Sequence, residues 1–267
     1  MRKEFSYYLY SPCGNDTALV EGDNIDEQTK KILNDKIMST HSNIEQVGFI
    51  SLDKFKIDMA GGEFCGNAAR SAAYHYLKGN KGEIRINVSN KMVMNAGVDE
   101  NKRAWSEIPL YSGKNFINAI DNGIYEIIMN GIKYIILEKD VSKQYLLDKK
   151  NIKANAMNIL KEYKIRDSEA IGVVFIEDVK EKIKIHPVVW VKSINTLFYE
   201  TACGSGTTAV AILQAVKNNK SQNLDIIQPS NQVITARIIL NKGNIETAYI
   251  LGNIKTDNNT RRITIDI

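Results

Sequence analysis

The amino-acid sequence predicts a mixed α/β (α+β) protein whose two halves resemble each other. Many segments are short runs of β-branched and aromatic residues bounded by Gly, Asn, Asp or Lys, which is typical of strands. Helical patterns are fewer, so a regular alternation of strands and helices is not indicated. A Cys-Gly motif that opens an alanine-rich helix occurs twice, about half a chain apart. These three observations together favour two related lobes.

The strand and helix assignments follow from local patterns. The predicted strands include residues 83–88, 133–137, 171–176 and 188–191. Apolar residues at helical spacing predict a helix over 26–38, and alanine-rich runs predict helices over 67–77 and 206–216. Residues 145–163 are interpreted as one further, more exposed helical region.

The internal repeat sets the expected domain organisation. Cys65-Gly66-Asn67-Ala68 parallels Cys203-Gly204-Ser205-Gly206, and the two cysteines are 203 − 65 = 138 residues apart in a chain of 267. We therefore expect an N-terminal lobe of residues 1–115 that carries Cys65 and is completed by a C-terminal strand, 255–267. Residues 116–254 would form the lobe that carries Cys203.

Composition excludes several classes of function. Hydrophobic residues are 43% of the chain and charged residues 25%, which indicates a globular core. The net charge of +4 is scattered, so neither nucleic acid nor a membrane surface is an expected partner, whereas a small anionic substrate is compatible. No apolar run of about 18 residues and no secretory leader is recognised. We expect a cytoplasmic protein with reduced thiols.

The sequence gives no sign of a metal or an organic cofactor. The three cysteines form no CxxC pair, and His41, His75 and His186 lack metal-ligand spacing. No glycine-rich phosphate loop is present, and no lysine lies in a context typical of pyridoxal phosphate. We expect no metal and no cofactor.

The repeated motif suggests proton-transfer chemistry. A cysteine at a helix N-terminus lies at the positive end of the helix dipole, which predicts a lowered thiol pKa. The backbone N–H groups of Gly66, Asn67, Gly204 and Ser205 could hold a carboxylate. Two such thiols on either side of one Cα would suit racemisation, in which one sulfur removes the α-proton and the other delivers a proton to the opposite face.

Alternatives remain open from the residues alone. A single cysteine in an alanine-rich helix is most often an inert small hydrophobe. The paired helix starts could instead capture carboxylates without turnover, with the cysteines acting as redox sensors, and oxidation could join them in a disulfide. Cys13, in Ser11-Pro12-Cys13-Gly14-Asn15, precedes a predicted strand and is interpreted as a bystander thiol at the pocket rim.

At these motifs the chain resembles the diaminopimelate epimerase-like family of cofactor-independent amino-acid racemases. The resemblance extends to Gly14-Asn15-Asp16, Gln46 and Gln228-Pro229, and so covers essentially the whole chain. It implies two pseudo-symmetric lobes, each a β-sheet wrapped round a central helix, with the active site in the cleft between them. It also implies that Cys65 and Cys203 are the catalytic bases and that Asn15 and Gln46 border the substrate.

Departures from the epimerase pattern disfavour diaminopimelate. The family's Asn-Pro-His segment is replaced by Gly131-Ile132-Lys133, and a strand asparagine by Gly172 or Val173. The Tyr-Glu-Arg-Gly run before the second cysteine is reduced to Tyr199-Glu200-Thr201-Ala202. Without that arginine and those asparagines, a distal carboxylate would lack partners, which is costly when it is buried.

The chain is more similar to the family's histidine racemases of opine-metallophore (staphylopine-type) biosynthesis. Glu45-Gln46-Val47-Gly48 and the two cysteine motifs carry this likeness, and Glu45 could accept an imidazole N–H. Proline racemases differ at Asn67, where they carry histidine, and phenazine-type isomerases lack the thiol pair. We therefore expect a histidine racemase, with an epimerase of diaminopimelate or lanthionine as the alternative. Expected substrate-binding residues are Asn15, Glu45, Gln46, Gly66, Asn67, Glu200, Gly204 and Ser205. A homodimer is compatible with the sequence.

Overall fold

The structure is a computed structural model that describes residues 2–62, 64–88, 92–111, 116–165, 168, 170–192 and 196–266. The chain folds into two compact units. Unit 1 comprises Met1–Glu107 with Leu251–Ile267, and unit 2 comprises Ile108–Ile250. Residues 112–115, next to the expected lobe boundary at 115/116, lie outside the described residues.

Unit 1 is built on one sheet. Its strands are β1 (Arg2–Pro12), β2 (Thr17–Glu21), β3 (Gln46–Ser51), β4 (Lys56–Met59), β5 (Gly82–Val88), β6 (Met92–Val98), β7 (Ala104–Glu107), β17 (Ile254–Thr256) and β18 (Arg261–Asp266). Antiparallel pairing joins β1 to β2, β17 and β18, and also joins β3 to β4, β5 to β6 and β6 to β7. Parallel pairing joins β2 to β3 and β4 to β5.

Two helices complete unit 1. Helix α1 (Glu27–Thr40) is capped by Asp26, whose side chain accepts from the backbone N–H of Thr29. Helix α2 (Gly66–Tyr76) packs against β1, β2, β4, β5, β6 and β7. Its small side chains allow this close approach, because the four alanines of the helix are at most 1% exposed. Because strands pack against α2 on several sides, the position of its N-terminus is fixed within unit 1.

Unit 2 repeats this plan. Its strands are β8 (Ile117–Asp121), β9 (Ile124–Met129), β10 (Ile132–Leu137), β11 (Ala170–Val179), β12 (Lys182–Val191), β13 (Thr196–Tyr199), β14 (Gln222–Ile227), β15 (Val233–Asn241) and β16 (Asn244–Gly252). Antiparallel pairs join β8 to β9, β9 to β10, β11 to β12, β12 to β13 and β14 to β15. Parallel pairs join β10 to β11 and β12 to β14.

The helices of unit 2 are α3 (Lys139–Leu146), α4 (Ile152–Glu162) and α5 (Gly204–Lys217). Helix α5 is the counterpart of α2 and packs against β9, β10, β14 and β15. It is apolar nearly all round, which is the pattern of a helix enclosed by other elements.

The helical region predicted over 145–163 is present, but it is divided between two helices. A 3₁₀ turn at Lys149–Asn151 separates α3 from α4, and both helices lie between β10 and β11 in the sequence. Helix α4 packs one face into the core of unit 2, where it buries Ile152, Ala156, Ile159 and Leu160.

The two units share a common series of elements. In each, an antiparallel strand pair is followed by a helical segment, a parallel strand and an antiparallel strand, and then by the cysteine-capped helix, a parallel strand and an antiparallel strand. Unit 2 differs in having two helices, α3 and α4, in the helical segment and an additional strand, β13, before α5. The mixed α/β class predicted from the sequence is confirmed, as are the strands predicted over 83–88, 133–137, 171–176 and 188–191. In the described part of the chain, no helix is long and apolar enough to cross a membrane.

Candidate active site

Cys65 is the N-cap of α2. Its backbone is extended, with φ −125° and ψ 114°, and its Sγ atom accepts from the backbone N–H of Ala68 at 3.5 Å. The thiol donates to Oε1 of Gln46 on the neighbouring strand β3, at 3.0 Å. The sulfur is thus oriented by one donor from the helix and one acceptor from the sheet.

A chain of side-chain hydrogen bonds extends from Cys65 into the sheet. Gln46 donates from Nε2 to Oδ1 of Asn15 at 2.5 Å and to Oγ1 of Thr17 at 2.7 Å. Asn15 in turn donates from Nδ2 to Oε2 of Glu45 at 2.8 Å. The structure therefore brings together four residues of unit 1 that the sequence singled out separately: Asn15, Glu45, Gln46 and Cys65.

The turn between β1 and β2 holds Asn15 in place. Cys13 and Gly14 both have positive φ, 62° and 104°, which turns the chain tightly between the two strands. Asn15, which follows them, is only 4% exposed. The Cys13 thiol is buried and donates to the carbonyl oxygen of Asn253 at 3.5 Å, so it ties the turn to the residue just before β17.

Asn67 lies in the first turn of α2, next to the buried Gly66. Its Oδ1 atom accepts two hydrogen bonds from Arg70, one turn further along the helix. Arg70 is completely buried, so this contact is part of the interior of unit 1. Sequence reasoning missed this role, although the spacing of three residues in a predicted helix indicates a shared face.

Cys203 caps α5 with nearly the same geometry as Cys65 caps α2. Its φ and ψ are −123° and 108°, and its Sγ atom accepts from the backbone N–H of Gly206 at 3.2 Å. In both helices the sulfur therefore takes the place of the oxygen of an ordinary capping side chain. The N-terminal turn of such a helix presents N–H groups outside the intrahelical ladder, which favours bound anions.

Polar side chains surround the sulfur of Cys203. The hydroxyl of Tyr134 lies 3.4 Å from Sγ and 2.6 Å from Oγ of Ser205, and Ser205 Oγ lies 3.7 Å from Sγ. Glu200 is also hydrogen-bonded to the thiol. The expected residues Glu200, Gly204 and Ser205 are thus assembled at this cysteine, whereas Tyr134 was not recognised in the sequence.

The Cys203 pKa differs from the expectation. Burial, followed by the negative charge of Glu200 and the hydrogen bond to it, raises the pKa of the Cys203 thiol well above its usual value. Hydrogen bonds from Tyr134 and the Gly206 N–H act in the opposite direction but do not outweigh these effects. The prediction of a lowered pKa is therefore wrong for Cys203, because desolvation of the thiolate exceeds the effect of the helix N-terminus.

Gln228 supports the cap of α5. Its Oε1 atom accepts from the backbone N–H of Cys203 at 3.0 Å, and its Nε2 atom donates to Oγ1 of Thr207 at 2.9 Å. Thr207 donates to the carbonyl oxygen of Cys203 at 2.6 Å. In the sequence, Gln228-Pro229 is part of the family resemblance, but the sequence alone does not predict that Gln228 supports this cap.

No group of three or more His, Cys, Asp or Glu side chains with metal-binding geometry occurs among the described residues. No disulfide joins the three cysteines, all of which are described.

Comparison with solved structures identifies the class of fold. A PhzF-family phenazine biosynthesis protein of Bacillus anthracis matches with a TM-score of 0.66 at 13% identity, covering 99% of this chain and 100% of that one. A hydroxyproline epimerase from Agrobacterium vitis matches with a TM-score of 0.63 at 12% identity, covering 98% and 92%. The protein thus has the fold shared by PhzF-type and proline-racemase-type proteins.

The sequence comparisons are more specific. A histidine racemase of Fusobacterium nucleatum is 28% identical over 236 residues, 82% of this chain and 84% of the relative. A histidine racemase of Staphylococcus aureus is 24% identical over 259 residues, 87% and 88% of the two chains. The family model described as the histidine racemase CntK N-terminal domain matches residues 4–259. The chain belongs to that family.

Proposed function

We propose that this protein is a histidine racemase that interconverts L- and D-histidine by two-base proton transfer at Cα, with Cys65 and Cys203 as the bases. Membership of the histidine racemase family supports the reaction and the substrate. The observation that carries the mechanism is the matched pair of caps. In each unit a cysteine opens a central helix, and its sulfur accepts from the N–H three residues further on.

The proposed chemistry starts from one thiolate and one thiol. The thiolate takes the proton from Cα, and the electron pair left behind is delocalised into the substrate carboxylate. The thiol then donates its proton to the opposite face of the same carbon, so the two cysteines end with exchanged protonation states. The N–H groups of the helix N-termini stabilise the charge that develops on the carboxylate, which is where preorganised donors are most effective.

The resting assignment of protons follows from the local environment of Cys203. Because burial and Glu200 hold the Cys203 pKa high, Cys203 is the thiol in the free enzyme at neutral pH. In a turnover that starts from this form of the enzyme, Cys65 therefore removes the α-proton and Cys203 donates a proton to the opposite face. Cys65 is the proposed base because its sulfur accepts from the Ala68 N–H at the N-terminus of α2, an environment that stabilises a thiolate.

Substrate binding is proposed for the residues that surround the two sulfurs. Glu45 would accept an N–H of the imidazole ring, in a position fixed by Asn15 and Gln46. Glu200, which raises the pKa of the Cys203 thiol, would border the substrate on the side of that sulfur. The α-carboxylate would be received by the first helical turns, which are formed by Gly66, Asn67, Gly204 and Ser205.

Isotope exchange tests the proposal. Proton NMR of L-histidine in deuterated buffer should show loss of the Cα–H signal, and circular dichroism should show decay to the racemate. Cys65→Ala and Cys203→Ala should each abolish racemisation. Cys13→Ala is the matched control, because this third thiol is held in a turn by the Asn253 carbonyl and should leave the rate unchanged. Retention of Cα–H with histidine, but exchange with diaminopimelate or lanthionine, would replace the substrate in the proposal.

The remaining parts of the proposal concern cofactors, assembly and location. Catalysis without metal or pyridoxal phosphate predicts that EDTA and a carbonyl reagent such as aminooxyacetate leave the rate unchanged. A homodimer predicts a mass in solution of twice the 30.0 kDa of the chain. A cytoplasmic location agrees with three cysteines that form no disulfide. Cell fractionation with an antibody to the protein tests the location.

A further inference from the structure

Tyr134 occupies an unusual position in the sheet of unit 2. It lies on β10 opposite Gly172 of the parallel strand β11, and its side chain is completely buried. A Cβ atom built on Gly172 would lie 2.1 Å from Cε1 of Tyr134 and 2.4 Å from Cδ1. The ring therefore lies directly over the Gly172 backbone, in space that any other residue at position 172 would fill.

This placement determines where the phenol points. The hydroxyl reaches Sγ of Cys203 at 3.4 Å and Oγ of Ser205 at 2.6 Å. Gly206 also leaves room for this contact. A Cβ atom at position 206 would lie 3.0 Å from the sulfur and 3.5 Å from the Tyr134 ring. Gly172 on β11 and Gly206 in α5 thus leave the space in which the Tyr134 ring lies and its hydroxyl contacts the Cys203 sulfur.

We propose that Tyr134 is a positioning residue for Cys203, a hydrogen-bond donor that holds the sulfur and stabilises it as a thiolate, and that Gly172 is required because it admits the tyrosine ring. When Cys203 is a thiol, its S–H donates to Glu200 and the Tyr134 hydroxyl donates to Ser205. When the proton has left, the Tyr134 O–H turns to the sulfur. The role rests on the proposed function, in which Cys203 must alternate between these two forms.

The two neighbours of the sulfur act in opposite directions. Glu200, in the segment between β13 and α5, is an acceptor that favours the thiol. Tyr134, on β10, is a donor that favours the thiolate. Burial raises the pKa of Tyr134 well above its usual value, so the phenol keeps its proton and remains a donor throughout the pH range of catalysis. From α5, the sulfur is faced by the Gly206 N–H and by the neutral Ser205 hydroxyl.

Titration of the sulfur itself tests the role directly. In a Cys13→Ala/Cys65→Ala background labelled with [3-¹³C]cysteine, the ¹³Cβ shift of Cys203 reports its ionisation as the pH is raised. Tyr134→Phe keeps the buried ring and removes only the hydroxyl, so it should move the midpoint to higher pH. Glu200→Gln should move the midpoint to lower pH. Tyr76→Phe is the matched control, because its hydroxyl donates to the Ser51 and Lys56 carbonyls of unit 1.

Kinetics supply the second readout. In the otherwise native chain, Tyr134→Phe should lower kcat/KM for histidine at neutral pH by about tenfold or more, as expected for loss of a hydrogen bond to a charged group. The loss should be equal for L- and D-histidine, because the equilibrium between enantiomers fixes the ratio of the two values at one. At higher pH the Tyr134→Phe variant should recover part of the rate. Gly172→Ala, which displaces the ring, should change the pH profile in the same direction.

The outcomes separate this inference from the proposed function. An unchanged Cys203 midpoint in Tyr134→Phe overturns the role of Tyr134, even if Cys203→Ala abolishes racemisation. If Cys203→Ala keeps full isotope exchange while Tyr134→Phe moves the midpoint, the contact is real and the two-base proposal fails. If Gly172→Ala does not fold, Tyr134→Phe alone decides.

Discussion

Arg70 donates from both Nε and Nη2 to the single side-chain oxygen of Asn67, at 3.2 and 3.0 Å. The two donors fix the amide plane of Asn67, so that its NH₂ group faces away from Arg70. The guanidinium is fully buried, and its Nη1 atom has no hydrogen-bond partner in the described structure. No carboxylate among the described residues forms an ion pair with Arg70, so the burial of this positive charge is energetically costly.

We predict that Arg70→Lys lowers the free energy of unfolding by about 1–3 kcal/mol, because lysine cannot supply two donors to one oxygen. It should also raise KM for histidine, since Asn67 loses its fixed orientation in the first turn of α2. Urea unfolding followed by circular dichroism and steady-state kinetics measure the two effects. Arg85→Lys, at an exposed position on β5, is the control. Equal behaviour of the two variants would contradict the prediction.

Much of the fold and part of the site could be predicted from the sequence, because local patterns carry them. The alanine-rich runs after Cys65 and Cys203 have helical spacing and start signals, and α2 and α5 lie there. The resemblance to a family of amino-acid racemases predicts three further site residues, Asn15, Glu45 and Gln46. In the structure a chain of hydrogen bonds connects them to Cys65.

The rest depends on contacts that no local pattern encodes. The break between α3 and α4 is set by a short 3₁₀ turn within a continuous helical pattern. The raised pKa of Cys203 depends on how deeply the fold buries the sulfur and on the proximity of Glu200. Tyr134 is 69 residues from Cys203 in the sequence and reaches it because α5, which Cys203 caps, packs against β10.

A pair of buried serines allows a test of hydrogen-bond energetics. Ser142 on α3 donates to the Leu137 carbonyl at 2.8 Å and accepts from the Ile176 N–H at 2.9 Å. Ser71 on α2 is equally buried, but its hydroxyl has no partner in the described structure.

We predict that Ser142→Ala lowers the free energy of unfolding by about 1–3 kcal/mol, because the Ile176 N–H and the Leu137 carbonyl both lose a partner. Ser71→Ala should leave it unchanged or raise it by up to about 1 kcal/mol, since a desolvated hydroxyl is removed and alanine favours the helix. Chemical unfolding of both variants in parallel gives the comparison. A larger loss for Ser71→Ala than for Ser142→Ala would refute it.

The raised pKa of Cys203 predicts a specific alkaline destabilisation. Below about pH 8.5, the ordinary value of a cysteine, the thiol is protonated in both the folded and the unfolded chain, and its contribution to stability is complete. Above that pH the unfolded chain releases a proton that the folded protein keeps. The free energy of unfolding therefore falls as the pH rises towards the folded-state pKa, by up to about 1.4 kcal/mol per pH unit.

Cys203→Ala and Cys203→Ser lack this proton, so their free energy of unfolding should fall less steeply than that of the native chain between about pH 8.5 and 10. Urea unfolding at half-unit pH intervals measures the slopes. The two variants differ in polarity but should share one slope, which separates proton linkage from packing. Slopes identical to the native one would mean that the Cys203 pKa is the same in the folded and unfolded states.

Glu45 provides the test of substrate recognition. Its carboxylate accepts from Asn15, which is itself fixed by Gln46, so the charge is held close to the Cys65 cap. Glu45→Gln keeps a side-chain oxygen for Asn15 and removes the negative charge. Hydrogen bonds to charged groups are stronger than neutral ones, so we predict a rise of about tenfold in KM for histidine, with a smaller change in kcat.

Calorimetric binding of L-histidine in a Cys203→Ala background separates this recognition from turnover, because that substitution should abolish racemisation. It leaves Cys65, in the same unit as Glu45, intact. Glu45→Gln should weaken binding in that background by about the same factor as it raises KM. Glu83→Gln, which removes an exposed carboxylate on β5, should have no effect on binding. If the two glutamine variants bind histidine equally well, the imidazole is recognised by other residues and Glu45 serves only to orient Asn15.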